Sequence, residues 1–418
     1  MTLRYSALVG FAVSWTACAR PSTTPAPASE AELQAAARSI HERIITIDTH
    51  DDIPLNFATP QVDPLNADRQ VNLEKMKAGG LDVGFFAVFV GQTPRTDSNY
   101  ARAKADAMTK FSAIHRMAAQ MYPDRIGFAY TAADVRRIAA SGRLVAAIGI
   151  ENGYVIGKDL SLVKTYHELG ARYMTLAHTS HNDICDSSTD GRPREHNGLS
   201  AFGRQVVSEM NRVGMMVDIS HVSKECMMQA TALSRAPVIA SHSSTTAIAN
   251  HPRNMDDEQL LAVKKNGGVV QIVAFASYVK VTPPEKAAAI DTLRRSMGIT
   301  GGGRQALANL SDAQRTEYQR RLADIDAKWP PASVRDFVDH VDHAVKVMGI
   351  DHVGISSDFD GGGGVTGWRD AAETHTVTVE LLRRGYTEAQ LEKIWSGNTL
   401  RVWAENERIA RELQRPTP

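Results

Sequence analysis

Apolar and polar positions along the chain follow two periods. Short apolar runs rich in β-branched residues recur at 44–49, 83–90, 144–150, 172–177, 215–220, 237–241, 268–274 and 352–357. Runs of this length, bounded by polar residues, read as buried strands. Between them apolar residues return every three or four positions, as over 101–120, 162–169, 203–213 and 259–265, which is the period of one helix face. Strands alternating with helices predict a parallel sheet. Eight such units predict an α/β protein built as a (β/α)8 TIM barrel. Ser29-x-x-Glu32 is a capping box that opens a helix through Leu33, Ala36, Ala37 and Ile40 into the first strand. An insertion at about 278–331 precedes the last strand, broken at Gly301-Gly302-Gly303 and charge-rich over 311–328. It reads as an excursion over or beside the barrel. After it, Ser333-x-x-Asp336 caps a helix whose apolar stripe is Val334, Phe337, Val338, Val341, Val345 and Met348. His340 and His343 fall off that stripe and read as a solvated face.

Composition narrows the function classes. The 418 residues have a formal net charge of zero, 43% hydrophobic and 22% charged residues, which are globular values. The absence of a basic excess argues against a nucleic-acid partner. Cys18, Cys185 and Cys226 form no CxxC and no disulfide framework. Cys185 and Cys226 read as buried thiols or as a pair, and both readings stand. Residues 1–19 read as an export signal, with Arg4 before a short apolar stretch too short to span a membrane. Thr16-Ala17-Cys18 resembles a bacterial lipoprotein signal, with Cys18 the lipidated residue, and Ala17-Cys18-Ala19 also fits ordinary cleavage. An exported protein is expected, periplasmic or tied to the cell envelope through Cys18. A proline- and serine-rich tether over 20–30 follows, and a single barrel domain is expected over 31–415.

The residues that follow the predicted strands carry the candidate chemistry. In an extended segment residues two apart share a face, so His50 and Asp52 aim an imidazole and a carboxylate at one point, a natural start for a divalent metal site. The third strand is followed by Glu151, the fourth by His178, the fifth by His221, the sixth by His242 and the eighth by Asp358. In a barrel these positions converge at the C-terminal rim, where barrel active sites lie. Buried together, they would carry uncompensated charge unless a metal neutralised it. The placement therefore predicts a metal site at the rim. His41, His115, His167 and His352 read as packing or surface residues, and His181, His196 and His251 as loop residues near the rim that could support the ligands.

These motifs carry a family resemblance. His50-x-Asp52, Glu151-Asn-Gly, Thr175-Leu-x-His178, Asp218-x-Ser-His221, Ser241-His242-Ser, His251-Pro-Arg253-Asn and Ser357-Asp358-Phe-Asp-Gly resemble, in order, the membrane dipeptidase family of zinc peptidases. Gly397-Asn398-x-Leu400-Arg401-Val402 is also similar to it, and the likeness spans about 40–405. The resemblance implies a barrel of the amidohydrolase type with a binuclear site for two Zn2+ ions. It implies that His50 and Asp52 bind one ion, His221 and His242 the other, and that Glu151 bridges them. It implies that His178 meets the substrate near the scissile carbonyl, that Arg253 holds the free carboxylate of a dipeptide, and that Asp358 handles protons. Homodimers are common in the family, so a homodimer is an expectation. Two positions depart from the family's pattern, Asp51 where Asn is usual and Asn152 where a second Gly is usual; neither removes a ligand.

The chemistry suits these residues. Two zinc ions can hold a hydroxide between them as the nucleophile, with the water's pKa lowered to about 7. No lysine follows the fourth strand to serve as a carboxylated bridge, and Glu151 offers the alternative. Asp358 suits a base that then acts as acid, His178 an oxyanion partner, and Arg253 bidentate carboxylate recognition. The expected function is zinc-dependent hydrolysis of dipeptides, including those with a C-terminal D-residue. The alternatives are an amidohydrolase acting on N-acyl amino acids or lactones, and a non-catalytic exported peptide-binding protein.

Overall fold

The computed structural model describes Thr2 and residues 28–300 and 310–415. Apart from Thr2, the signal read at 1–19 with Cys18, the tether up to residue 27 and the Gly301-Gly302-Gly303 break lie outside the described residues. Among the described residues no helix is long and apolar enough to cross a membrane.

Eight parallel strands run side by side as a nearly closed barrel. In spatial order they are β1 (Ile47–Asp52), β2 (Val83–Phe89), β4 (Leu144–Glu151), β5 (Ala171–Thr175), β6 (Met216–Asp218), β7 (Ile239–Ser243), β8 (Val269–Val273) and β9 (Val353–Ser356). The ring closes where Asp51 bridges Phe359 and the Asp52 N–H donates to the Phe359 carbonyl at 2.9 Å. Each predicted run corresponds to one of these strands. The first begins at Ile47, because the preceding helix Glu30–His41 ends in a turn in which the Ile44 N–H bonds back to Ile40. That helix opens on the expected Ser29–Glu32 capping box. A further strand, β3 (Ile126–Phe128), pairs with β4 outside the ring. Three residues are too few to show a period, which is why the pattern misses it.

Alternation along the strands builds the barrel in layers. Val83 and Phe85 of β2, Val145 and Ala147 of β4, Tyr173, Met216, Ile239 and Val269 form the interior cluster, and Leu400, Val402 and Trp403 from the terminal helix Asn398–Leu413 join it. The Phe85 and Trp403 rings meet at 5.5 Å. Phe86, Val88, Ala146, Ile148 and Ile150, on the opposite parity, face the helical layer. Glu151 has the parity of Val145 and Ala147 and stands at the top of the inward column. Above the apolar floor lies a polar layer of Thr49, Tyr173 Oη, Thr175, Asp218 and Ser241, all buried.

In the insertion, helices Pro284–Ser296 and Asp312–Lys328 share a small core of Leu293, Ile299 and Tyr318, separate from that of the barrel. The following helix, Val334–Met348, carries the predicted stripe and cap. His340 corrects the solvated reading: it is fully buried, with Nδ1 bonded to the Thr245 N–H at 3.0 Å and Nε2 near the Val279 carbonyl at 2.9 Å. It ties the helix to the loop after β7. His343 pairs with Asp257 at 2.7 Å.

Candidate metal centre

Glu151 is the centre of the site. Its Oε2 lies 3.5 Å from His50 Nε2. Its Oε1 lies 3.0 Å from His221 Nε2, 3.3 Å from His242 Nε2 and 3.4 Å from His178 Nε2. One carboxylate oxygen thus faces His50 and the other faces His221, His242 and His178. Asp52 Oδ2 stands 3.7 Å from His50 Nε2, and His50, Asp52 and Asp358 bring one ligand atom each within 4.8 Å of one another. The same spacing joins His50, Glu151 and His242, and also Glu151, His178 and His221. Arg253 is buried nearby, with Nη2 donating to the His242 carbonyl at 3.0 Å and the guanidinium 5.3 Å from the Tyr278 ring centre. All eight residues singled out in the sequence, from His50 to Asp358, come together.

The backbone is bent to deliver two of them. His221 and Asp358 have φ of 68° and 57°, a left-handed conformation that costs a non-glycine residue about 1 kcal/mol or more. Gly361 gives the carboxylates room: a Cβ there would lie 2.2 Å from both Asp358 Oδ1 and Asp52 Oδ2.

The polar layer beneath fixes which nitrogen of the His50 and His242 imidazoles is free. Tyr173 Oη donates to the Thr49 carbonyl at 2.9 Å and lies 2.8 Å from His50 Nδ1. Its hydrogen is committed, so it accepts from Nδ1–H and leaves a lone pair on His50 Nε2. Ser241 Oγ donates to Asp218 Oδ2 at 2.6 Å and lies 2.8 Å from His242 Nδ1, which frees His242 Nε2 in the same way. Asp218 is held by Thr175 Oγ1 at 2.5 Å and by the Ser220 and Ser241 N–H groups. Such partners set ligand tautomer and orientation in metal sites. Sequence reasoning did not find these orienting roles. Tyr173 sits in mid-strand, and Asp218 and Ser241 were quoted only as motif flanks.

The electrostatics are those of a site built for a cation. Burial raises the Asp358 and Asp52 carboxyls, Asp52 to about 6, and the neighbouring carboxylates add to it. Burial opposes a proton on His50, yet Glu151, Asp52 and Asp358 outweigh it and lift the imidazole to about 10, so the carboxylates favour a positive charge at Nε2, whether a proton or a metal ion in its place. Burial pushes Glu151 up, but the surrounding imidazoles, His178 and His50 foremost, hold it well below the usual range. Burial keeps His221 and His242 well below the usual histidine value. His50 Nε2 is buried with no hydrogen-bond partner among the described residues. Lone-pair nitrogens and carboxylate oxygens converging on one point suit a divalent metal ion, and the residues fit it.

A cavity of about 610 Å³ opens over this centre, lined by His178, Arg253, Tyr278 and Asp358 among others. His178 shows the most side-chain surface of the four imidazoles, and no hydrogen bond among the described residues fixes its ring. Phe89 packs against it at 4.7 Å between ring centres. His251 also lines the cavity, accepting from the Arg253 N–H at 3.2 Å. His181 is buried in the adjoining loop, near Asp186 at 3.5 Å, and His196 Nε2 lies 2.8 Å from the Asn182 carbonyl. Cys185 and Cys226 are buried free thiols. Lys110, on the helix Asp97–Arg116, reaches the same cavity and was not singled out in the sequence. Burial pulls its ammonium below the ordinary lysine value, against the pull of Asp52 and Glu151.

Comparison with known proteins gives a consistent result. The model of the family described as membrane dipeptidase (peptidase family M19) matches residues 34–417. Dipeptidase tcpJ from Claviceps purpurea is 33% identical over 345 residues, which is 81% of this chain and 70% of that protein. The crystal structure of the probable dipeptidase PvdM from Pseudomonas aeruginosa superimposes with a TM-score of 0.79 at 32% identity, covering 91% of this chain and 99% of that one. A crystal structure of a dipeptidase AC, described as a metallo peptidase, matches with a TM-score of 0.68 at 25% identity over 87% and 98% of the two chains.

Proposed function

The chain belongs to the membrane dipeptidase family of peptide-bond hydrolases, and on that premise we propose that it is a dipeptidase dependent on two zinc ions. His50 and Asp52 would hold one ion and His221 and His242 the other, with Glu151 shared between them. The observation that carries this reading is the split of Glu151: Oε2 faces His50 while Oε1 faces His221 and His242. Bound there, the ions would supply a polarised carbonyl and a water of lowered pKa.

The chain's own residues account for the rest. Arg253 has an Nε with no hydrogen-bond partner among the described residues, and its planar fork suits the C-terminal carboxylate of the substrate. Asp358, across Gly361 from Asp52, takes the proton from the attacking water and returns it to the leaving nitrogen. His178 faces the cavity and donates to the oxygen of the tetrahedral intermediate. Longer peptides are rejected, because they leave the buried Arg253 without its carboxylate. Substrates with a C-terminal D-residue are included in the proposal, as are export and attachment through a lipidated Cys18.

The test is hydrolysis of L-Xaa-L-Xaa and L-Xaa-D-Xaa dipeptides, with zinc and with chelator, by the wild type and Glu151→Gln. Zinc-dependent turnover is expected, lost by at least about a hundredfold in the variant, with tripeptides intact. Unchanged turnover in Glu151→Gln would sink the two-ion reading. Zinc-loaded protein that leaves every dipeptide intact would sink the dipeptidase reading.

A further inference from the structure

We infer that Lys110 selects the N-terminal residue of the substrate, and that the preferred substrates are dipeptides with a carboxylate side chain at that residue. The inference rests on the dipeptidase reading above.

Lys110 breaks the pattern of its helix. Ala103, Ala107, Phe111 and Ile114 are the buried stripe of Asp97–Arg116, and Lys110 lies on it, only 7% exposed. A lysine placed so deeply normally has an anion or carbonyl to satisfy it. The other buried lysine among the described residues, Lys286, has both, with Asp326 and the Trp329 carbonyl each at 2.7 Å. Lys110 has neither. Among the described residues its only short-range partner is the face of Phe89, 5.8 Å from Nζ to the ring centre. The remaining cations of the cavity are held: Arg69 by the Asp52 carbonyl at 2.8 Å and Asp360 at 3.3 Å, Arg253 by the His242 carbonyl. A buried, unpartnered ammonium lining a cavity over a hydrolytic centre is a site for an anionic group of the ligand.

The topology says which end of the ligand. Lys110 is carried by the helix that follows β2, and Arg253 by the segment that follows β7. Between β2 and β7 the ring has β4, β5 and β6 on one side and β1, β9 and β8 on the other. The two cations therefore approach the cavity from opposite sides, with Glu151 between them. With the C-terminal carboxylate on Arg253 and the scissile carbonyl over Glu151, the N-terminal residue lies toward Lys110. Lys110 then meets its side chain. Glutamate and aspartate give Lys110 the anion it lacks; glutamine and asparagine match them in shape without the charge.

The experiment compares kcat/KM for L-Glu-L-Ala and L-Gln-L-Ala in the zinc-loaded full chain, with L-Ala-L-Ala as the measure of dipeptidase activity itself. The wild type is expected to favour the glutamyl substrate by about tenfold or more, the size of a charge-assisted contact. Lys110→Met is expected to bring the ratio near one, and Lys110→Arg to keep it above one. A ratio within one enzyme cancels any general loss from the substitution. If Lys110→Met does not fold, the wild-type ratio decides alone. Turnover of L-Ala-L-Ala with a glutamyl-to-glutaminyl ratio at or below one overturns the inference and leaves the dipeptidase intact. No turnover of any of the three overturns both.

Discussion

Tyr173 shows how much of the site is decided one residue away from it. Its hydroxyl donates to the Thr49 carbonyl and accepts from His50, so one hydrogen fixes the tautomer of a proposed ligand. Tyr173→Phe keeps the ring and removes that acceptor. Zinc affinity, measured by chelator competition, is expected to fall about 10- to 100-fold, with His50 still in place. An unchanged affinity would mean that His50 is oriented by its packing alone. The proposed ligands themselves were legible in the sequence because each stands at or just past the end of an apolar run. Their orienting partners were not, since a lone Tyr or Ser inside a strand looks like any half-buried polar residue. Lys110 was hidden for the opposite reason: a lysine in an amphipathic helix reads as part of the wet face, and only the packing shows that its face is the buried one.

At the scale of the element, β4 and β5 have to approach closely for this to work. Gly149 on β4 has no side chain because the Tyr173 ring occupies that space, with a Cβ at Gly149 falling 1.9 Å from Tyr173 Cζ. Gly149→Ala must push the ring aside, and overpacking of this kind costs about 1–3 kcal/mol. Urea unfolding is expected to show that loss together with weakened zinc binding, because the displaced Tyr173 no longer reaches His50. A loss of stability with zinc affinity intact would separate the two. The eight strands were readable because their runs are β-branched, bounded and regularly spaced. β3 is too short for a period, and the depth of His340 depends on the loop after β7 that covers it. Neither is a property of local sequence.

The whole molecule carries a pH dependence remote from the site. His41, at the end of the first helix, is buried against Trp395, with Nε2 2.7 Å from Thr378 Oγ1 and Nδ1 3.1 Å from the Gly80 carbonyl. Burial lowers it from 6.5 to about 4. Between those values the unfolded chain holds the proton and the folded chain does not. Stability is therefore full above pH 6.5 and falls as the pH drops toward 4, by about 3 kcal/mol from this group. His41→Gln is expected to flatten that part of the curve, read as the difference in urea midpoint between pH 7 and pH 4; equal slopes in the two proteins would refute it. The helix Asn398–Leu413 that floors the barrel has a consequence in time as well as in space. Trp403 meets Phe85 only after every strand of the ring has been synthesised. During synthesis the nascent barrel has its walls before its base, and the rings of Phe85 and Tyr173 stay uncovered from below. Such distant pairing slows folding, so the chain is expected to acquire the geometry of the site in one late step.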